Sequence, residues 1–198
     1  MLKWIGYNTD ITQIMVITVI FSIRQNMLTT QEIIEKLDLV PHPSEGGYLK
    51  IVHNDTVTIP NSVLPDLVDV EEERTICDAI YYLIDNDNHS ELHRTAGNML
   101  YHFYYGDAVE MLLLHPEGTT PRTERIIFGN DIAAGQQPMK LIPGGSWMGI
   151  QVVNPGKLAL MGVTMSPGFN PSDYTMGQRA ELLAQYPEEK ELITTLTD

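Results

Sequence analysis

From residue 49 onward the chain is a succession of short runs rich in β-branched, aromatic and aliphatic residues, each closed by Gly, Pro, Asn or Asp. The runs cover residues 49–53, 76–84, 100–105, 109–114, 125–128, 139–142, 148–153 and 159–165. Many short strands without alternating helices predict an all-β chain folded as an antiparallel sandwich or barrel. The hydrophobic period changes only at the two ends. Thr29-Thr30-Gln31-Glu32-Ile33-Ile34-Glu35-Lys36-Leu37 offers a threonine cap, an acid in the first turn and an apolar stripe at Ile33, Ile34 and Leu37, which predicts a short amphipathic helix. Residues 178–186 and 188–196 predict two more short helices lying outside the barrel, with Pro187 suited to a first-turn position. Residues 54–69, with their prolines and acids, read as an exposed insertion between strands.

The segment ahead of the first helix is unlike the rest. A basic start at Lys3 is followed by an apolar run at residues 11–23, which is too short for an ordinary membrane span and lacks a small-x-small cleavage site. It reads as a leader, an extra β-branched strand, or an extension upstream of a start at Met27. The last is favoured because a domain start follows directly. The organisation expected is therefore an N-terminal extension over 1–27 and one domain over 28–198, since 198 residues with 43% hydrophobic content suffice for one core.

Charge narrows the partners. Twelve Lys plus Arg against 26 Asp plus Glu leave a formal charge of -14, which argues against binding a phosphate backbone. No nucleic acid partner and no stable membrane insertion are expected. The single cysteine, Cys77, excludes an intrachain disulfide and a Cys-rich zinc site, and its strand-like neighbours suggest a small core residue. A reducing, cytoplasmic setting fits this usage.

Candidate chemistry centres on His93-Arg94-Thr95-Ala96-Gly97-Asn98-Met99-Leu100-Tyr101-His102-Phe103-Tyr104-Tyr105-Gly106. In an extended strand His93 and Thr95 share a face, and Met99 returns to it after a short turn. A metal site on this plan needs a second imidazole and a carboxylate, whereas thioether is a soft ligand. No metal and no cofactor are expected. Strand parity sets His102 opposite Tyr101 and Phe103. His42, His53, His89 and His115 fall in loop or strand-end settings suited to facing solvent. Upstream, Pro41-His42-Pro43-Ser44-Glu45-Gly46-Gly47-Tyr48 breaks regular structure, and its paired glycines permit close backbone approach.

The order of these motifs resembles a cupin family catalogued as a domain of unknown function and related to RmlC-like jelly-roll proteins. It is carried by Pro41-His42-Pro43…Gly46-Gly47-Tyr48, Arg74…Ala79-Ile80-Tyr81, Ser90…His93-Arg94, His102-Phe103-Tyr104…Gly106-Asp107 and Leu112-Leu113-Leu114. Further matches are Gly129-Asn130-Asp131-Ile132, Pro143-Gly144-Gly145-Ser146-Trp147, Pro167-Gly168-Phe169…Asp173-Tyr174 and Tyr186-Pro187. The resemblance covers about residues 33–197. It implies a double-stranded β-helix, the cupin jelly-roll barrel, with short flanking helices at both ends, a pocket at the barrel mouth and pairing into a homodimer. At the metal-ligand positions of cupins this chain keeps His93 but carries Thr95, Met99 and Met148.

The resemblance also sets the functional expectations. The leading one is a protein that binds a small organic molecule without the usual metal. Its ligand-contact candidates are Glu45, Tyr48, His93, Arg94, Met99, Tyr101, Phe103, Trp147 and Met148. Tyr48, Tyr101, Phe103 and Trp147 would form walls, Glu45 a polar rim, and Arg94 either an ion pair or an anion contact. The alternative is a sugar-nucleotide epimerase or isomerase of RmlC-like type, with His93 as base, Asp173 orienting it and Tyr101 as acid. A metal-dependent oxygenase and a barrel serving chiefly for assembly are the remaining readings.

Overall fold

The computed structural model describes residues 27–63 and 73–198, apart from the side chains of Val63 and Asp173. The expectations for residues 1–26 lie outside the described residues, as does the later part of the 54–69 insertion. Helix α1 (Thr30–Leu37) begins with a capping box. The Thr29 hydroxyl accepts from the Glu32 N–H at 3.2 Å, and the Glu32 carboxylate accepts from the Thr29 N–H at 2.8 Å. Asp38 ends the helix in the left-handed region, with φ of 50°.

Thirteen strands follow among the described residues: β1 (Val40–Pro41), β2 (Tyr48–Asn54), β3 (Thr58–Pro60), β4 (Glu73–Thr75), β5 (Asp78–Asp85), β6 (Ser90–Arg94), β7 (Asn98–Gly106), β8 (Val109–Leu114), β9 (Thr123–Phe128), β10 (Met139–Ile142), β11 (Trp147–Val152), β12 (Leu158–Ser166) and β13 (Thr175–Met176). A six-stranded antiparallel sheet runs β1-β2-β5-β12-β7-β10, and a five-stranded sheet runs β13-β6-β11-β8-β9. The all-β barrel with helices at both ends is what the chain adopts.

The inner faces of the two sheets share one core. Alternate residues of β5 (Tyr82, Ile84), β7 (Met99, Tyr101, Phe103), β8 (Val109, Met111, Leu113) and β12 (Met161, Val163, Met165) point inward, as the two-residue period requires. His102 lies on the opposite face of β7, as parity predicts. The extra residue Tyr104 then breaks that parity, because Phe103 pairs with Met161 while Tyr105 pairs with Leu160. Tyr105 consequently joins the outer cluster beneath α1 with Ile33, Leu39, Leu83 and Tyr48. On the other side, α2 (Arg179–Gln185) and α3 (Lys190–Thr195) cover Leu92, Leu112, Leu114 and Trp147 of the five-stranded sheet.

Several local expectations are corrected. Residues 54–69 are not wholly an exposed loop: β3 pairs with β4, and Asn61 beside that ribbon is buried with the Arg74 Nε donating to it at 2.6 Å. Cys77 is not a core residue, since it lies half-buried at the break between β4 and β5. His115 is buried because Ser146 and Glu124 engage both ring nitrogens, at 2.9 and 2.8 Å. Lys140 donates to the same Glu124 carboxylate at 2.9 Å. This polar chain joins β9 to β10, the edge strands where the two sheets meet.

Candidate functional site

The inward row of the six-stranded sheet continues past the core to one end of the barrel. There Leu49 and Ile51 of β2, Ile80 of β5 and Val163 and Met165 of β12 line a cavity of about 870 Å3. The β3–β4 ribbon contributes Thr58, Glu73 and Arg74 to its wall, and the chain after β12 contributes Phe169 and Tyr174. Residues His42, Pro43 and Ser44 complete the rim. The wall after β12 is pinned by backbone contacts: Gly168 N–H donates to Thr75 O at 2.8 Å, and Phe169 N–H donates to Asp78 Oδ2 at 2.8 Å. No room exists there for a side chain, because an added Cβ on Gly168 would overlap the Thr75 hydroxyl.

A buried polar cluster closes the inner side of this wall. Glu45 is positioned by the tight turn before β2, where Gly46 and Gly47 have φ of 86° and 70° and press against His89 O and Leu83 O. The Glu45 carboxylate accepts from the Tyr174 hydroxyl at 2.5 Å and lies 3.2 Å from His93 Nδ1. His93 Nδ1 is also 2.8 Å from Glu91 O, and a carbonyl only accepts, so Nδ1 carries the proton. In the neutral form of that ring, Nε2 is the acceptor. His42 has the opposite tautomer: its Nδ1 accepts from the N–H groups of Ser44 (3.3 Å) and Glu45 (3.1 Å), which leaves the proton on Nε2, 4.0 Å from Glu45.

The rings of His93 and Tyr174 stack at 5.6 Å, and His42 and Phe169 both approach Tyr174. Burial, then the Glu45 charge and hydrogen bond, push the Tyr174 phenol far above its usual range. Burial does the same, more completely, to Tyr82 and Tyr101. All three phenols remain protonated donors at neutral pH. Burial lowers the proton affinity of His42, with His93 acting in the same direction and Glu45 against it.

The structure brings Glu45 and His93 together, with Tyr174 beside both. Tyr101 lies in the core and its hydroxyl contacts Met148 Sδ at 3.6 Å, while Met99 packs in the same cluster. Phe103 belongs to the same core, edge-on to Phe128 at 5.8 Å. None of the nine ligand-contact candidates lines the cavity, and Tyr48, Arg94 and Trp147 lie on the outer faces of their strands. Each adjoins an inward residue (Leu49, His93 and Met148), so the strand period turns it outward. Tyr48 packs under α1, whereas Trp147 lies under the C-terminal helices with the Arg94 guanidinium 4.4 Å above its ring. The Asp173 backbone lies in a 3-10 turn (Pro171–Asp173), and its proposed contact with His93 lies outside the described residues. His42 is not a solvent-facing loop residue, because the turn folds its ring onto Tyr82 and Tyr174.

The sequence reading missed His42, Phe169, Tyr174 and the ribbon residues as cavity wall. Extending the two-residue parity of β5 and β12 would have found Ile80, Val163 and Met165. The ribbon carried no comparable signal. At the ligand positions of metal-binding cupins the donors do not suit a divalent ion. His93 Nε2 is a competent donor, but the Thr95 hydroxyl donates to Gly97 O at 3.0 Å and Met99 and Met148 offer only thioethers, so one suitable ligand stands alone at these positions. Among the described residues no three His, Cys, Asp or Glu side chains are grouped to hold a metal ion. No described helix is long and apolar enough to cross a membrane.

Known proteins show the same architecture. A hypothetical protein from Leishmania major superposes with a TM-score of 0.75 at 24% identity, covering 86% of this chain and 99% of that one. A protein from Shewanella oneidensis gives 0.73 at 27% identity, covering 87% and 99%. A cupin 2 conserved barrel domain protein from Rhodopseudomonas palustris gives 0.50 at 13% identity, covering 80% and 88%. No curated protein matches the sequence. The family described as Cupin superfamily (DUF985) matches residues 31–177, and the chain belongs to it.

Proposed function

We propose that this cupin binds a small organic molecule in the cavity at the end of its barrel. The observation that carries this reading is the cavity itself, about 870 Å3 in volume, where an aliphatic inner-sheet surface meets polar groups at one rim. Ligand pockets have this size and this mixture of apolar walls with a few orienting polar groups. Tyr174 is the fixed aromatic group of the wall: its hydroxyl proton is committed to Glu45, which holds the residue in place at the cavity lining. Mass spectrometry of the untagged protein under native conditions, followed by small-molecule identification after denaturation, tests the reading. A bound organic mass is expected, and it should be lost in Ile51→Trp, which fills the mouth from a position 61% exposed and therefore tolerant of bulk. A wild-type protein with no bound mass that binds no member of a metabolite panel would remove the reading.

A second reading, proton transfer by an isomerase, draws on the 3.2 Å contact between His93 and Glu45. The carboxylate that would orient the base is then Glu45. His93 is only 2% exposed and stacks behind Tyr174, so substrate must displace that ring to reach it. Unchanged turnover of sugar nucleotides in His93→Ala would dispose of it.

A further inference from the structure

The cavity wall after β12 is an aromatic corner. Phe169 and Tyr174 meet with ring centroids 5.9 Å apart and planes at 71°, and Phe169 is 42% exposed. The charges around that corner are unequal. Asp78 lines the cavity and holds the Phe169 backbone in place, its second oxygen accepting from the Thr75 hydroxyl at 2.6 Å. Glu73 lines the opposite ribbon and accepts from the Thr58 hydroxyl at 2.7 Å. Arg74 is the counterweight in the lining; its buried Nε donates to the neutral Asn61 Oδ1, so it leaves one positive charge against the two carboxylates. His42 adds no positive charge at neutral pH, because its Nδ1 is an acceptor for two backbone N–H groups. The whole chain carries a formal charge of -14, so its long-range field also repels anions.

A cation over an aromatic face is attracted by the ring quadrupole, and carboxylates beside the ring add to that attraction. We infer that the cavity selects organic ammonium ions, with the apolar body on the inner-sheet floor, the cationic head in the Phe169–Tyr174 corner, and Glu73 and Asp78 supplying the counter-charge. This rests on the reading that the cavity binds a ligand, and it adds the chemical class. The same reasoning disfavours carboxylates and phosphates as ligands.

Three probes sharing one ring separate charge from shape: tryptamine is a cation, 3-methylindole is neutral and indole-3-propionate is an anion. Calorimetric titration of the full chain at low salt should show tryptamine binding at least about tenfold more tightly than indole-3-propionate. Raising the salt to about 0.5 M should narrow that gap, since exposed charges are then screened within a few ångströms. Glu73→Gln, at an exposed position, should narrow it as well, and Phe169→Ala should weaken tryptamine more than 3-methylindole. Equal or tighter binding of indole-3-propionate would overturn the charge selection and leave the cavity as a binding site. Failure of all three probes to bind would overturn both.

Discussion

His42 shows how one side chain ties protonation to the shape of the site. Its Nδ1 accepts two backbone N–H groups from the turn that presents Glu45, and a protonated ring would face those donors with a third. Its folded proton affinity is accordingly lowered, chiefly by burial. The unfolded ring takes up its proton near pH 6.5, at about the ordinary histidine value, and the folded ring only at lower pH. Between those points the unfolded chain binds more protons, so stability falls as pH falls through that window and is unaffected above it. His89 is lowered in the same direction, again by burial, and shares the effect. His42→Asn keeps an acceptor close to Nδ1 but cannot titrate. Urea unfolding between neutral and mildly acidic pH should therefore show a shallower loss of stability in the variant, and an identical slope would remove His42 from the account. Glu45 could be named as a site residue from its place beside Gly46-Gly47. Its pairing with Tyr174 and with His93 could not be read, because they lie 129 and 48 residues away in the sequence and only the fold joins them.

At the scale of elements, register decides which side chains face the cavity. Eight of the thirteen described strands were legible from period and turn residues: β8 and β10 match the predicted spans and β2, β5, β7, β9, β11 and β12 shift by one or two residues at their ends, whereas the short β1, β3, β4, β6 and β13 had no predicted span. Bulges were not legible. One extra residue at Tyr104 sends Tyr105 outward, and a second irregularity in β6 lets Ser90 pair with Ile150 while His93 pairs with Met148. The connection after β12 depends on close approach rather than on register. In Gly168→Ala the new methyl group would meet the Thr75 hydroxyl, with Asp78 Oδ2 only 2.8 Å away. The loop must move off β4 and loosen its two backbone hydrogen bonds. A destabilisation of about 1–3 kcal/mol is expected by denaturant titration, as for other overpacked sites. Ligand binding in the cavity should weaken along with it, because Phe169 moves with the loop. Wild-type stability and binding in this variant would show that the wall is not set by that contact.

For the molecule as a whole, the two sheets need covers on both outer faces. Helix α1 seals Leu83 and Leu158, while α2 and α3 seal Leu92, Leu112 and Leu114, all of them completely or almost completely buried. Ionic and polar contacts hold the C-terminal cover at its edges. Arg125 donates to Glu189 at 2.7 Å, and Arg179 donates to Thr197 Oγ1 at 3.0 Å and also to Thr197 O. Ile193 is fully buried beneath this cover, on the face opposite the barrel core. Ile193→Ala should cost about 2–5 kcal/mol by the cavity it leaves. Equilibrium unfolding in urea checks this, and a cost within experimental error would show that the helices are accessory to the barrel.

The sequence alone determined the class of fold, the capped first helix and the succession of the main strands, because each is written in local spacing: a two-residue period, a threonine three positions before a glutamate, and glycines and prolines between runs; the order of its motifs carried the resemblance to the family. It also determined that the ligand positions of metal-binding cupins hold poor donors, since Thr95, Met99 and Met148 are read directly. Only the tertiary structure decided where the cavity lies and what lines it. Its wall is assembled from the turn at 42–44, strands β2, β3, β4, β5 and β12, and the chain at 169–174, segments brought together by pairing between residues far apart along the chain. A side chain's face depends on accumulated register and on every bulge before it, and neither is carried by the residue's own neighbours.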